Sequence, residues 1–209
     1  PDHPAHLARW QREAAAFRDA HAPEALAYGP GAREAMDLFL PAGVAEPPGA
    51  MFIHGGYWQA LGREWVSHCA AGLVARGVAV AVPSYDLCPA VPLATIRSPM
   101  ARAAAALAGR LGRPVLAAGH SAGGHLAAWL LARSPAVGAA MPVSGLFWLE
   151  PLVATSINRA LGLDAATARA LSPAGLPAPD GALHAVVGAA ESEEFRRQTR
   201  DFAALWRAS

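Results

Sequence analysis

The apolar run Val115-Leu116-Ala117-Ala118 leads straight into Gly119-His120-Ser121-Ala122-Gly123-Gly124-His125, and that into Leu126-Ala127-Ala128-Trp129-Leu130-Leu131-Ala132. This reads as strand, tight glycine turn, helix, with one serine at the apex of a Gly-x-Ser-x-Gly frame. Few backbones accept such a reversal. The serine must take strained backbone angles, and neighbouring main chain comes so close that side chains at Gly119 and Gly123 would clash. The hydroxyl then stands at the C-terminal edge of a sheet, with a helix N-terminus just behind it. A plain strand-to-helix turn can also be built from small residues. Here the legible strand before the serine and helix after it favour a nucleophile.

The rest of the chain alternates between the two kinds of element. Residues 4–20 carry apolar side chains at helical spacing. Met36 to Leu40 alternates and reads as an edge strand, followed by a Pro- and Gly-rich loop from Pro41 to Gly49. A short strand over Ala50–Ile53 precedes a helix over 63–76, and Val78–Val82 is apolar on both faces, as in a buried parallel strand. An alanine-rich helix from Ala94 to Leu111, the strand at 115–118 and a helix from 122 to about 133 follow. Beyond them come a strand over Ala139–Val143, a mostly helical insertion over 148–172, a strand over His184–Val187 and a last helix over 192–206. Strands alternating with helices predict a mostly parallel, doubly wound sheet covered on both faces. Its ligands sit beyond the C-terminal strand ends, where the serine turn falls.

Composition excludes several alternatives. The 209 residues suffice for one sizeable core and require no division. Hydrophobic residues make up 54%, yet they fall in short runs, none near the ~18 apolar residues of a membrane span. No basic and apolar leader opens the chain. The net charge is +1 and the 17 basic residues are scattered, leaving no footprint for nucleic acid. Cys69 and Cys88 are too few for a disulfide framework and lack metal-ligand spacing; one bridge remains an alternative to two free thiols. The expectation is a cytoplasmic protein with a small-molecule substrate, no nucleic acid, no membrane, no metal and no cofactor, a homodimer being left open. The chain opens on Pro1 and closes inside or just after a helix, so both ends read as edges of a longer polypeptide.

A second chemical feature follows the strand at 50–53: His54-Gly55-Gly56-Tyr57-Trp58. Acyl transfer develops negative charge on a carbonyl oxygen, and preorganised N–H groups must meet it. A glycine pair lets backbone amides approach that oxygen; the amide after the nucleophile, Ala122, supplies another donor. Alone, the pair would read as an ordinary turn. Next to the serine elbow, Gly55, Gly56 and Ala122 become the expected oxyanion hole. His54 reads as a structural histidine bonding loop backbone, His120 as aimed away from the nucleophile, and His125 as no part of a metal site. Gly188-Ala189-Ala190-Glu191-Ser192 places an acid in the turn after a late strand, where an acid can hold a catalytic imidazole. The alternative for Glu191, less favoured than the site role, is an exposed acid at a helix N-terminus. The histidines are His3, His6, His21, His54, His68, His120, His125 and His184, and none follows Glu191. His184 is expected in the strand core, and His68 on a helix surface. Either the base lies in a C-terminal segment beyond this sequence, or the chain is a binding protein on a hydrolase scaffold.

These residues carry a resemblance. The chain looks like the α/β-hydrolase fold and within it is similar to the arylformamidases (kynurenine formamidases). The likeness rests on His54-Gly55-Gly56-Tyr57-Trp58, Ser84-Tyr85-Asp86-Leu87, Gly119 to His125, and Val143-Ser144-Gly145-Leu146-Phe147. It continues through Thr155-Ser156-Ile157-Asn158, Leu171-Ser172-Pro173 and Glu191-Ser192-Glu193-Glu194-Phe195 with Arg197-Gln198. The resemblance implies Ser121 as nucleophile, Glu191 as the acid, and the amides of Gly55, Gly56 and Ala122 as the oxyanion hole. It also implies hydrolysis of N-formyl-L-kynurenine to L-kynurenine and formate, without cofactor. Tyr57, Trp58 and Phe147 are candidates to pack against the substrate ring, core packing being their alternative. A carboxylesterase acting on small acyl esters would use the same constellation. The family's catalytic histidine has no matching position here.

Overall fold

The computed structural model describes residues 3–207. Helix α1 (His3–Ala20) leads into strands β1 (Glu24–Ala27), β2 (Ala35–Phe39) and β3 (Gly49–Ile53). Helix α2 (Arg63–Val66), a 3-10 turn (Ser67–Ala70) and helix α3 (Ala71–Val74) connect to β4 (Ala79–Pro83). Helix α4 (Leu93–Leu111), strand β5 (Val115–His120), helix α5 (Ala122–Arg133) and strand β6 (Val137–Val143) follow. The 148–172 region folds as a 3-10 turn (Glu150–Leu152) with helices α6 (Asn158–Leu161) and α7 (Ala165–Leu171), before strand β7 (Ala182–Leu183) and helix α8 (Glu193–Arg207).

Among the described residues the strands form one sheet in the order β1-β2-β4-β3-β5-β6-β7. β1, β2 and β4 pair antiparallel, and every pairing from β4 to β7 is parallel. The two-residue period of the strands deals side chains to opposite faces. Met36, Leu38, Met51, Ile53, Ala79 and Ala81 face the larger core with α4 and α5. Phe39, Ala50, Val80 and Val82 face a smaller core, closed by Phe17 of α1 together with Val66 and Ala70. Chain order reverses at β3: β4 lies on one side of it and β5 on the other. The loops leaving β3 and β5 therefore diverge over the crevice where open α/β sheets bind ligands.

Four expectations need correction. β2 is not an edge, because the four residues Glu-Ala-Leu-Ala of β1 pair outside it. That composition has little intrinsic strand preference, and the pairing to β2 imposes the conformation. The helix expected over 63–76 is broken into three pieces. Ser67 Oγ donates back to the Arg63 carbonyl at 2.6 Å, a local side-chain bond that competes with the helical ladder. The last strand begins two residues earlier than expected, although its hydrogen bonds to β6 run on to Val186. His184 consequently stands exposed at the sheet edge rather than in a core. No helix among the described residues is long and apolar enough to cross a membrane.

Candidate active site

Ser121 ends β5 and caps α5 at φ 56° and ψ −114°, outside the ordinary regions for a residue with a side chain. Its surroundings fix it there. Ser121 N donates to the Val143 carbonyl at 2.9 Å, and the Ser121 carbonyl accepts from His125 N at 3.1 Å. The two frame glycines are required sterically: a Cβ on Gly119 would stand 2.5 Å from the Gly123 carbonyl, and one on Gly123 only 2.0 Å from the Ile53 carbonyl oxygen. α5 is thus seated directly on the end of β3, and the side chain of Ser121 is left beside the His54-Gly55 main chain. A methyl group on Gly55 would lie 3.3 Å from Ser121 Cβ.

The loop after β3 is strained and heavily tied. Tyr57, Trp58 and Leu61 all have positive φ, at 50°, 57° and 75°. Arg33 clamps it, donating from Nε to the Tyr85 carbonyl and from a terminal nitrogen to the Leu61 carbonyl, each at 2.6 Å. Cys88 N donates to the Trp58 carbonyl at 2.7 Å, and Gln59 Nε2 reaches the Ile157 carbonyl at 3.0 Å. Tyr85 is fully buried, stacks on His54 with centroids 4.1 Å apart, and donates its hydroxyl to the His54 carbonyl at 3.0 Å. Burial lowers the His54 imidazole to about 4 and keeps it neutral, against the opposing pull of its Nδ1, which donates to the Gly55 carbonyl at 2.9 Å. The expectation for His54 describes this arrangement.

Ser121, Gly55, Gly56 and Tyr57 share a cavity of about 510 Å³. Ala122 is buried at the head of α5, immediately behind the serine. Trp58 and Phe147 are not in the cavity wall. Trp58 is fully buried edge-on to His125, and Phe147 stacks on Phe202 at 4.0 Å in the core. For both, packing replaces the expected contact with substrate. His120 is corrected too: its ring lines the cavity instead of turning away. Desolvation lowers its titration, and the charge of Glu191 pulls it back up. His68, expected on a helix surface, is half-buried and also lines the cavity. Glu191 is held by Ser144 Oγ, which donates to its carboxylate at 2.5 Å, and by Gly188 N at 3.0 Å. The carboxylate is thereby fixed where its charge acts on His120.

Part of the lining comes from residues outside every motif. Leu7 and Trp10 of α1, with Val66 and Cys69, line the same cavity as the serine. No local motif announces them, because α1 reaches the site only through tertiary packing. Burial pushes the Cys69 thiol up to about 11, so it is not a thiolate competing with the serine at neutral pH. Among the described residues no cluster of His, Cys, Asp or Glu could hold a metal ion.

No protein-family model matches the chain. Among curated proteins it is similar to the kynurenine formamidase of Salmo salar, 30% identical over 191 residues covering 84% of this chain and 65% of the relative. It is also similar to that of Danio rerio, 28% identical with the same coverage. The chain spans 65% of the length of these relatives. A solved structure from Silicibacter sp., provisionally described as a thioesterase, superposes with a TM-score of 0.92 at 36% identity, over 98% of this chain and 82% of that one. A hyperthermophilic esterase from Pyrobaculum calidifontis shares the fold, with a TM-score of 0.76 at 19% identity over 98% of this chain and 80% of that one.

Proposed function

The chain belongs to the α/β-hydrolases, and from that premise we propose that it is a serine hydrolase cleaving aryl formamides, with N-formyl-L-kynurenine as the candidate substrate. The observation that carries this reading is Ser121, strained at the head of α5 and sharing one cavity with the Gly55-Gly56 main chain. Similarity to the fish kynurenine formamidases supports the formamide as the scissile group.

Ser121 Oγ attacks the formyl carbon, and the oxyanion is met by the amides of Gly55, Gly56 and Ala122 at the positive end of α5. The C–N bond breaks, the amine leaves with a proton, and a formyl-enzyme remains. Water adds to that ester and releases formate and free serine. Glu191, anchored by Ser144, is the acid that would orient and stabilise the imidazole taking the serine proton. No histidine follows Glu191 in this sequence, and the cavity wall carries His54, His68 and His120. His54 is a poor candidate for the base, being stacked, buried and committed to Gly55.

The test is release of formate from N-formyl-L-kynurenine by the full-length protein, alongside labelling by a fluorophosphonate. Ser121→Ala should abolish labelling and lower kcat/KM by roughly 10³-fold or more. Labelling that survives this substitution would assign the nucleophile elsewhere. The second reading is a carboxylesterase, favoured by the apolar wall of the cavity and by the esterase neighbour. A preference for p-nitrophenyl acetate over the formamide by orders of magnitude would select it.

A further inference from the structure

We propose that the N-terminal half of α1 is the shelf that receives the substrate's aryl ring, with Trp10 as the specificity-determining residue and Leu7 beside it. This deepens the hydrolase reading and rests on it: Ser121 is the reacting group, and α1 holds the ring that the scissile bond carries.

The helical period leads one face of α1 from core to cavity. Residues 7, 10, 14 and 17 recur at spacings of three and four, so they lie on the same side of the helix. At one end of that face Ala14 is fully buried, and Phe17 packs in the smaller core with its ring 4.9 Å from that of Phe39. At the other end Leu7 and Trp10 are half-buried and line the cavity that holds Ser121 and the Gly55-Gly56 main chain. The surface that this pair turns inward is cavity surface.

The face is held in register by its C-terminal half. One terminal nitrogen of Arg18 donates to the Glu64 carbonyl at 2.7 Å and to Ser67 Oγ at 3.1 Å. Glu13 lies 3.8 Å from His68, which belongs to the same cavity lining. α1 is therefore docked on the segment after the glycine loop, and Trp10 keeps a fixed relation to it.

An indole is suited to the task. Its π surface takes an aryl ring in offset or edge-to-face contact, and with two side-chain torsions it loses little freedom on doing so. Trp58 and Phe147, the aromatics expected against the substrate ring, are committed to His125 and Phe202. Trp10 takes that place, with Tyr57, Leu61 and Phe52 completing an apolar lining. The volume, about 510 Å³, falls in the range of small-molecule sites.

The experiment compares hydrolysis of N-formyl-L-kynurenine, phenyl acetate and ethyl acetate by the full-length wild type, Trp10→Ala, Trp10→Phe and Leu7→Ala. Trp10→Ala should lower the ratio of kcat/KM for phenyl acetate over ethyl acetate about tenfold, chiefly through the KM of the aryl ester. N-formyl-L-kynurenine should lose about as much as phenyl acetate. Trp10→Phe should recover most of the ratio, and Leu7→Ala should lower it by a smaller factor, about threefold. Equal losses on the aryl and alkyl esters would make Trp10 a structural residue and overturn the inference, as would an unchanged ratio. Calorimetry on the Ser121→Ala protein gives a readout that does not depend on turnover. Adding Trp10→Ala to it should raise the Kd for N-formyl-L-kynurenine about tenfold. An unchanged Kd, or no measurable binding with Trp10 in place, overturns the shelf. The hydrolase reading fails separately, if the wild type releases neither formate nor acetate from any of the three compounds; the binding measurement then decides the shelf by itself.

Discussion

A methyl group decides much at Gly123. Alanine there would drive its Cβ to 2.0 Å from the Ile53 carbonyl oxygen, and main chain on both sides leaves no flexible neighbour to yield. We expect Gly123→Ala to cost about 4 kcal/mol or to prevent folding, measured by urea denaturation. Ser144 poses a different case. It is buried at φ 50° and its hydroxyl holds the Glu191 carboxylate. Ser144→Ala should lose roughly 1 kcal/mol of stability, the value of one hydrogen bond, while kcat falls about tenfold because the acid loses its aim. Full activity with a freely rotating Glu191 would remove that carboxylate from the site. At this scale the serine turn was legible because glycine and serine carry steric information in themselves. The positions of His120, Trp58 and Phe147 were not: a side chain's direction depends on what packs beside it, and residue type does not report that.

The 56–62 loop shows what holds an element that no regular ladder supports. Three non-glycine residues at positive φ would relax if released, and Arg33 bridges the loop to Tyr85. Arg33→Ala should reduce stability by about 3 kcal/mol and lower kcat more than it alters KM, since the glycine amides would drift from the serine. Arg33→Lys should restore little, because one ammonium cannot span both carbonyls as the guanidinium fork does. Element existence was read well wherever the apolar period was clear, as in α4, α5 and β3. It failed for β1, whose four residues take their conformation from β2, and for the 63–76 helix, which a local serine bond interrupts. Gln198, buried in α8, accepts from Phe147 N at 2.7 Å and Trp148 N at 3.0 Å, joining α8 to the segment after β6. That tie explains why Gln198 stood in a block of family likeness with no visible chemistry of its own.

For the whole molecule, two neutral imidazoles give the acid limb of stability. His54 and His125 are buried and held at about 4, against 6.5 for a free histidine. Between those values the unfolded chain binds the protons and the folded chain does not. The stabilisation is therefore complete above pH 6.5 and is lost as pH falls toward 4, at roughly 1.4 kcal/mol per unit for each histidine. Urea midpoints at pH 7 and pH 5 should show this loss, and a His125→Asn variant should show about half of it. The fold class was open to sequence reading because strand and helix periods alternate regularly; the α1 part of the cavity lining was closed to it because α1 arrives from the other end of the chain. That division of the cavity also has a mechanical side. Ser121 and Gly55 hang from β5 and β3, central strands whose amides should exchange with deuterium only on global unfolding, whereas the Leu7 and Trp10 wall rides on a peripheral helix open to local fraying. The half that attacks is hard and the half that chooses is soft, so substrate range can drift by changes in α1 while the reacting atoms stay in register.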